Sequence, residues 1–105
     1  MNIVAVCACT MGVAHTFIAK DKLVEAAQKL NHHIKCETQG SVGIECRIEE
    51  ADVAKADVVI IAADINISEQ DRFKGKPIVR VPVSVAIKQP EQLINKIEAQ
   101  LKGGK

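Results

Sequence analysis

The 105-residue sequence is poor in aromatic side chains, with two Phe, no Tyr and no Trp. Surfaces that stack the bases of single-stranded nucleic acids depend on such side chains, so their scarcity argues against that function. The formal net charge of +1 provides no broad basic field that would attract a phosphate backbone. We therefore expect no nucleic-acid partner.

The sequence also has no long apolar run. A run such as VVIIAA at residues 58–63 is far too short to span a membrane as a helix, which needs about 20 residues. No Lys or Arg precedes Lys20, so the apolar beginning of the chain predicts a strand rather than a signal peptide. The four cysteines are irregularly spaced, which favours reduced thiols in the cytoplasm over a disulfide framework.

Aliphatic residues must build the core, a composition that suits a parallel sheet covered by helices better than a sandwich. In chain order, periodicity predicts a strand at 3–7, a helix at 14–30, a strand at 33–38, a short helix at 47–55, strands at 57–64 and 78–83, and a helix from Pro90 to Leu101. The stretches 39–43 and 64–77 are predicted to be connections. This alternation predicts one three-layer α/β/α domain with a Rossmann-like, four-stranded parallel sheet in the order 2-1-3-4. We expect the domain to span residues 1–102, with 103–105 as a tail or the start of a linker.

The stretch CACTMGVAHT, residues 7–16, lies between the first predicted strand and the first predicted helix. Ligands of such folds bind beyond the carboxyl ends of the strands. The N–H groups that begin a helix can surround an anion there, and Gly12 allows the backbone to bend closely around it. A helix N-terminus also lowers the pKa of a nearby cysteine thiol. Cys9 is therefore a candidate nucleophile for phosphoryl transfer, whereas Cys7 is expected to be a core residue of the strand.

The run CTMGVAHTFIA, residues 9–19, resembles the active-site loop of the fructose-family enzyme IIB proteins. These belong to the bacterial phosphoenolpyruvate-dependent sugar phosphotransferase system, and their loop typically reads Cys-Pro-Thr-Gly-Ile-Ala-His-Thr. The likeness continues in ETQGSVGIE at 37–45, AAD at 62–64 and RFKGK at 72–76, so that it covers nearly the whole chain. Thr10 stands where the family has Pro, which restores an N–H group and loosens the turn, and Met11 stands where the family has Thr, which removes a hydroxyl.

The resemblance implies a protein-phosphohistidine–sugar phosphotransferase that acts through phosphocysteine. Phosphate would pass from a histidine of an enzyme IIA to Cys9, and then to fructose or a fructose-like sugar brought by a membrane IIC component. His15 would contact or orient the phosphoryl group. The resemblance implies no metal or organic cofactor, and a cytoplasmic location at the inner face of the membrane through IIC.

The resemblance further implies a set of residues around Cys9. The phosphate-binding loop would consist of Thr10, Met11, Gly12, Val13, Ala14 and Thr16. A secondary rim at the same edge of the sheet would consist of Gln39, Gly40 and Ser41 after the second strand, and of Asp64 at the end of the third.

Two other classes of function remain open from the residues. A low-molecular-weight tyrosine phosphatase uses a similar strand, loop and helix, but it needs an arginine six residues after its cysteine, where this chain has His15. A thiol-redox or metal-binding module could use Cys7, Cys9, His15 and Cys36. Zinc motifs usually combine a C-x2-4-C pair with a second pair of ligands, which the sequence lacks.

Overall fold

The computed structural model describes residues 2–8, 13–40 and 43–103. In chain order the elements are β1 (Asn2–Ala8), α1 (Val13–Lys29), β2 (His33–Gly40), β3 (Gly43–Glu45), α2 (Glu50–Lys55), β4 (Val58–Ala63), a 3-10 helix (Gln70–Phe73), β5 (Ile78–Val81), α3 (Val83–Lys88) and α4 (Pro90–Gly103).

The strands form one mixed sheet in the order β3-β2-β1-β4-β5. Four of them are parallel neighbours, and their order β2-β1-β4-β5 confirms the predicted 2-1-3-4. The prediction of a wholly parallel, four-stranded sheet is wrong at one edge, where β3 pairs antiparallel with β2. Stretch 39–43 is therefore not simply a connection, because β2 runs to Gly40 and Gly43 begins β3. A three-residue strand is too short to show an alternating pattern.

Helices cover both faces of the sheet, which confirms the three layers. On one face, Ile3, Ala5 and Cys7 of β1 pack with α1, α3 and α4. On the other face, Val4, Val6 and Ala8 pack with side chains from the region of α2 and the 3-10 helix. Because β1 and β4 are covered on both sides, they consist of nearly continuous apolar residues.

Helix α1 ends at Lys29, one residue before the predicted end at residue 30, and Asn31 follows with a left-handed φ of 63°. The N–H of His32 donates to Ala27 O at 2.8 Å, and the N–H of Asn31 donates to Gln28 O at 3.1 Å. These two bonds form a Schellman motif, which satisfies carbonyl groups at the end of the helix.

Two further elements differ from the sequence-based expectation. Helix α3 follows β5 directly, although its sequence VSVAIK is rich in β-branched residues, which favour strands. Tertiary packing decides its conformation, because Val83 and Ala86 are fully buried against α1 and α4. The predicted connection 64–77 contains the 3-10 helix, which buries the ring of Phe73 completely.

Candidate active site

The carboxyl end of β1 lies in the middle of the sheet. Its last residue, Ala8, is the register partner of Gln39 in β2 and of Ala63 in β4. The N–H of Asp64, which follows β4, donates to Ala8 O at 3.2 Å. This is the edge where parallel α/β sheets bind ligands. Cys9 follows Ala8 in the sequence, and the predictions on Cys9, Thr10, Met11 and Gly12 lie outside the described residues.

Helix α1 begins four residues after Cys9, at Val13, and its first turn contains no acidic residue. Within this turn no carboxylate offsets the positive end of the helix dipole, which favours an anion. The main chain of Val13, Ala14 and His15 belongs to this turn, and their side chains lie outside the described structure. Thr16 is buried, with 3% of its surface exposed. The roles assigned to His15 and to the phosphate loop stay predictions.

The predicted rim residues occupy both sides of Ala8. Gln39 lies on the β2 side and is buried, whereas Asp64 lies on the β4 side and is exposed. The Asp64 carboxylate accepts a hydrogen bond from the N–H of Val83 at 3.2 Å, at the beginning of α3. The main chain of Gly40 ends β2, and Ser41 lies outside the described residues. Contact of any of these residues with a phosphoryl group stays a prediction.

Sequence reasoning missed a group of polar contacts beside the rim, which we call the buried polar network. It consists of Glu37, Gln39 and Arg72 with main-chain groups of Ile48 and Ser68. Both guanidinium ends of Arg72 donate to the Glu37 carboxylate, at 2.7 and 2.6 Å. The N–H of Ile48 and the amide of Gln39 donate to the same carboxylate at 2.9 and 2.7 Å. The signal was present in the motifs at 37–45 and 72–76, which supply both charged partners.

The environment of Glu37 keeps its carboxylate ionised. Complete burial by itself raises the pKa of a carboxyl group, but the hydrogen bonds from Arg72, Gln39 and the Ile48 N–H outweigh burial and lower the pKa of Glu37. The hydrogen bond to Glu37 raises the pKa of Arg72 further above its ordinary range. The network therefore holds a charged pair that is hydrogen-bonded on all sides.

The described cysteines are divided between the core and the surface. Cys7 is fully buried, which confirms its predicted place in the core, and its Sγ lies 3.6 Å from Cys36 Sγ. The hydrogen bond with Cys7 and burial raise the pKa of the Cys36 thiol well above its ordinary value. Cys46 is exposed, and Lys20 Nζ lies 3.7 Å from its Sγ. Within residues 2–8, 13–40 and 43–103, no three His, Cys, Asp or Glu side chains converge as metal ligands.

Comparison with known proteins identifies the family. Residues 4–96 match the family model described as PTS system, Lactose/Cellobiose specific IIB subunit. The chain belongs to this PTS IIB family. The resemblance seen in the sequence is thus confirmed, and the chain is a component of phosphotransferase sugar transport.

Curated relatives of the chain carry fructose-type names. The chain is 48% identical to the PTS system fructose-like EIIB component 2 of Escherichia coli K12 over 95% of this chain and 94% of the relative. It is 46% identical to the fructose-specific EIIABC component of Bacillus subtilis over 90% of this chain and 15% of that longer protein. The solution structure of an enzyme IIB subunit from Escherichia coli K12 superposes with a TM-score of 0.92 at 34% identity, covering 98% of this chain and 95% of the other.

None of the helices in the described ranges has both the length and the apolar character needed to cross a membrane.

Proposed function

We propose that this chain is the phosphoryl carrier of a fructose-type phosphotransferase system and that Cys9 carries the phosphoryl group. The observation that supports this most is the place of Cys9 in a PTS IIB chain. It follows Ala8, the last residue of the central strand, and precedes α1 by a few residues. This is the position at which a helix N-terminus activates a thiol and stabilises a phosphate.

The chemistry consists of two in-line displacements at phosphorus. In the first, the Cys9 thiolate attacks the phosphohistidine of an enzyme IIA. An S–P bond forms while the N–P bond breaks, and the bonding pair stays on the imidazole nitrogen. In the second, a sugar hydroxyl attacks, the S–P bond breaks and Cys9 leaves as the thiolate, while the hydroxyl proton passes to solvent or a base. Such reactions depend mainly on positioning and charge stabilisation.

The residues of the first turn of α1 and the preceding loop supply that stabilisation. Main-chain N–H groups between Thr10 and Thr16 hold the phosphoryl oxygens, and His15 orients them. Thr10 and Met11 replace side chains that a main-chain cradle does not use, which is why we expect transfer to persist.

The names of the relatives support the choice of partners. The fructose-specific EIIABC component of Bacillus subtilis joins A, B and C parts in one protein, which supports an enzyme IIA as donor and a membrane IIC as the source of the sugar. The names of the relatives favour fructose or a fructose-like sugar. The chain then works in the cytoplasm, against the inner face of the membrane.

The intact mass of the protein tests the proposal. The wild type is incubated with phosphoenolpyruvate, the two general phosphotransferase proteins and a fructose-type IIA, whose own phosphorylation is the control. We expect one phosphoryl group on the wild type and none on Cys9→Ser. Cys46→Ser is the matched control, because its thiol is exposed and its loss leaves the group in place.

Three results would contradict the proposal. They are a phosphoryl group retained by Cys9→Ser, turnover of an aryl phosphate by the wild type, and an unmodified wild type beside fully phosphorylated IIA. In the last case the double substitution Thr10→Pro with Met11→Thr restores the family loop. Phosphorylation of that variant alone would place the fault in the two departures.

A further inference from the structure

The side-chain amide of Gln39 is already hydrogen-bonded to groups of the protein through both its nitrogen and its oxygen. Its amide nitrogen donates to Glu37 at 2.7 Å and to Ser68 O at 3.0 Å. Its carbonyl oxygen accepts from the N–H of Ser68 at 2.8 Å. A phosphoryl group could recruit this amide only by breaking bonds that lie in a buried site.

The rest of the buried polar network fixes the orientation of Gln39. Glu37 is on the same face of β2, two residues earlier, and Arg72 holds it through two hydrogen bonds. Arg72 also donates to Ile48 O at 2.8 Å and to Glu69 O at 2.9 Å, and its guanidinium lies 4.7 Å from the centroid of the Phe73 ring. A side chain held by packing and hydrogen bonds is a rigid support for whatever it binds.

Gln39 binds the far end of segment 64–68, which crosses the carboxyl end of β1. The segment begins at Asp64, hydrogen-bonded to Ala8 on the β4 side of β1. It ends at Ser68, whose N–H and carbonyl are both bonded to Gln39 on the β2 side. Since β1 lies between β4 and β2, the segment passes over the end of the strand that leads to Cys9. Ile67 anchors its middle in the core cluster that contains Ala8.

We propose that Gln39 is a positioning residue for phosphoryl transfer: it holds segment 64–68 across the end of β1, and so fixes the boundary of the Cys9 site without touching the phosphoryl group. This inference rests on the proposed function of Cys9. A displacement of about 1 Å in such a boundary is enough to slow a reaction by about 100-fold.

The test compares two variants in an assay of phosphoryl transfer from phosphorylated IIA to Cys9. Gln39→Leu removes the three hydrogen bonds and keeps a similar side-chain volume. Lys76→Met is the matched control, because Lys76 donates to the carbonyls of Ala54 and Ala56 at 3.1 and 3.0 Å on the same face, away from the carboxyl end of β1. Circular dichroism confirms folding at the assay temperature. If Gln39→Leu fails to fold, Gln39→Asn, one methylene too short for these contacts, replaces it.

The readout is the rate of Cys9 phosphorylation as a function of phosphorylated IIA concentration. We expect Gln39→Leu to lower the maximal rate about 10- to 100-fold, with little change in the half-saturating IIA concentration. Lys76→Met should keep the wild-type rate. Equal losses in both variants, an unchanged maximal rate in Gln39→Leu, or a change in half-saturation alone would overturn the positioning role. A wild type that takes no phosphoryl group beside phosphorylated IIA overturns the proposed function itself.

Discussion

The two faces of the sheet bury different kinds of side chain. Beneath α1, α3 and α4, β1 and its neighbours contribute Ile, Val, Ala and Cys to a hydrophobic cluster. On the opposite face, which α2 and a 3-10 helix cover, β2 presents Glu37 to Arg72 beside a smaller cluster. Hydrophobic burial is indifferent to direction, whereas hydrogen bonds fix geometry. The first face therefore supplies stability, and the second supplies the exact placement of segment 64–68.

The largest loss of stability should come from removing one partner of the ion pair between Glu37 and Arg72. Arg72→Met leaves the Glu37 carboxylate buried without its cation, and we expect a loss of about 3–5 kcal/mol in the free energy of unfolding. Urea denaturation measures this loss. Arg80→Met is the matched control, since Arg80 is exposed and donates to Ile65 O at 3.0 Å. We expect its effect to stay within about 0.5 kcal/mol.

A double variant shows whether the buried polar network stabilises the fold or only specifies its geometry. Replacing both partners, Glu37→Leu with Arg72→Met, removes both buried charges, and we expect most of the lost stability to return. A double variant as unstable as Arg72→Met would mean that the pair itself contributes net stability. The roles assigned to the two faces would then be wrong.

A smaller difference should appear in the pH dependence of stability. The pKa of Glu37 is lowered in the folded protein from an ordinary value of 4.5. The stability that its charge contributes is therefore complete above 4.5 and is lost as the pH falls through the folded-state pKa. Glu37→Gln does not titrate at this position. We expect it to be less stable than the wild type by about 1–3 kcal/mol at neutral pH, with the gap narrowing in acid.

The opposite face provides the control for this titration. Leu23 of α1 is fully buried in the cluster that α1 forms with the sheet, so Leu23→Ala should cost about 2–5 kcal/mol at every pH at which the protein folds. Urea denaturation at neutral pH, and again below the ordinary carboxyl pKa, measures how much less stable Glu37→Gln and Leu23→Ala are than the wild type. If the difference in stability between the wild type and Glu37→Gln stays constant or widens in acid, the charge of Glu37 does not account for the stability that this residue contributes.

The same contrast explains what the sequence could and could not predict. The apolar strands β1 and β4 were predictable because burial on both faces leaves a continuous run of Val, Ile and Ala. The antiparallel β3 was not, because a strand of three residues gives no pattern, and neither was the helix α3, which depends on partners distant in sequence. Glu37 and Arg72 are 35 residues apart, and single charged residues at that spacing give no periodic signal.

The candidate site was predictable to a different extent. Motif likeness identified Gln39 and Asp64 as residues of one edge, and the register with Ala8 places them on either side of β1. The sequence could not predict their hydrogen bonds. The side chain of Gln39, for example, bonds to Ser68 and Glu37 rather than to a ligand. A polar residue near an active site is readily taken for a ligand when its contacts are not known.

The smallest effect on stability is expected at the thiols that distinguish core from surface. Cys46 is exposed beside Lys20, whereas Cys7 and Cys36 are buried in contact with each other, and burial with their mutual hydrogen bond raises the pKa of Cys36. Since the thiolate is the reactive form, iodoacetamide should alkylate Cys46 in the native protein and spare Cys7 and Cys36. Peptide mass spectrometry after a short exposure measures this, with urea-unfolded protein as the control in which all three react. Cys46→Ser should change the free energy of unfolding by no more than about 0.5 kcal/mol. Native alkylation of Cys36 at the rate of Cys46 would mean that the face under α1 opens more readily than its close packing implies.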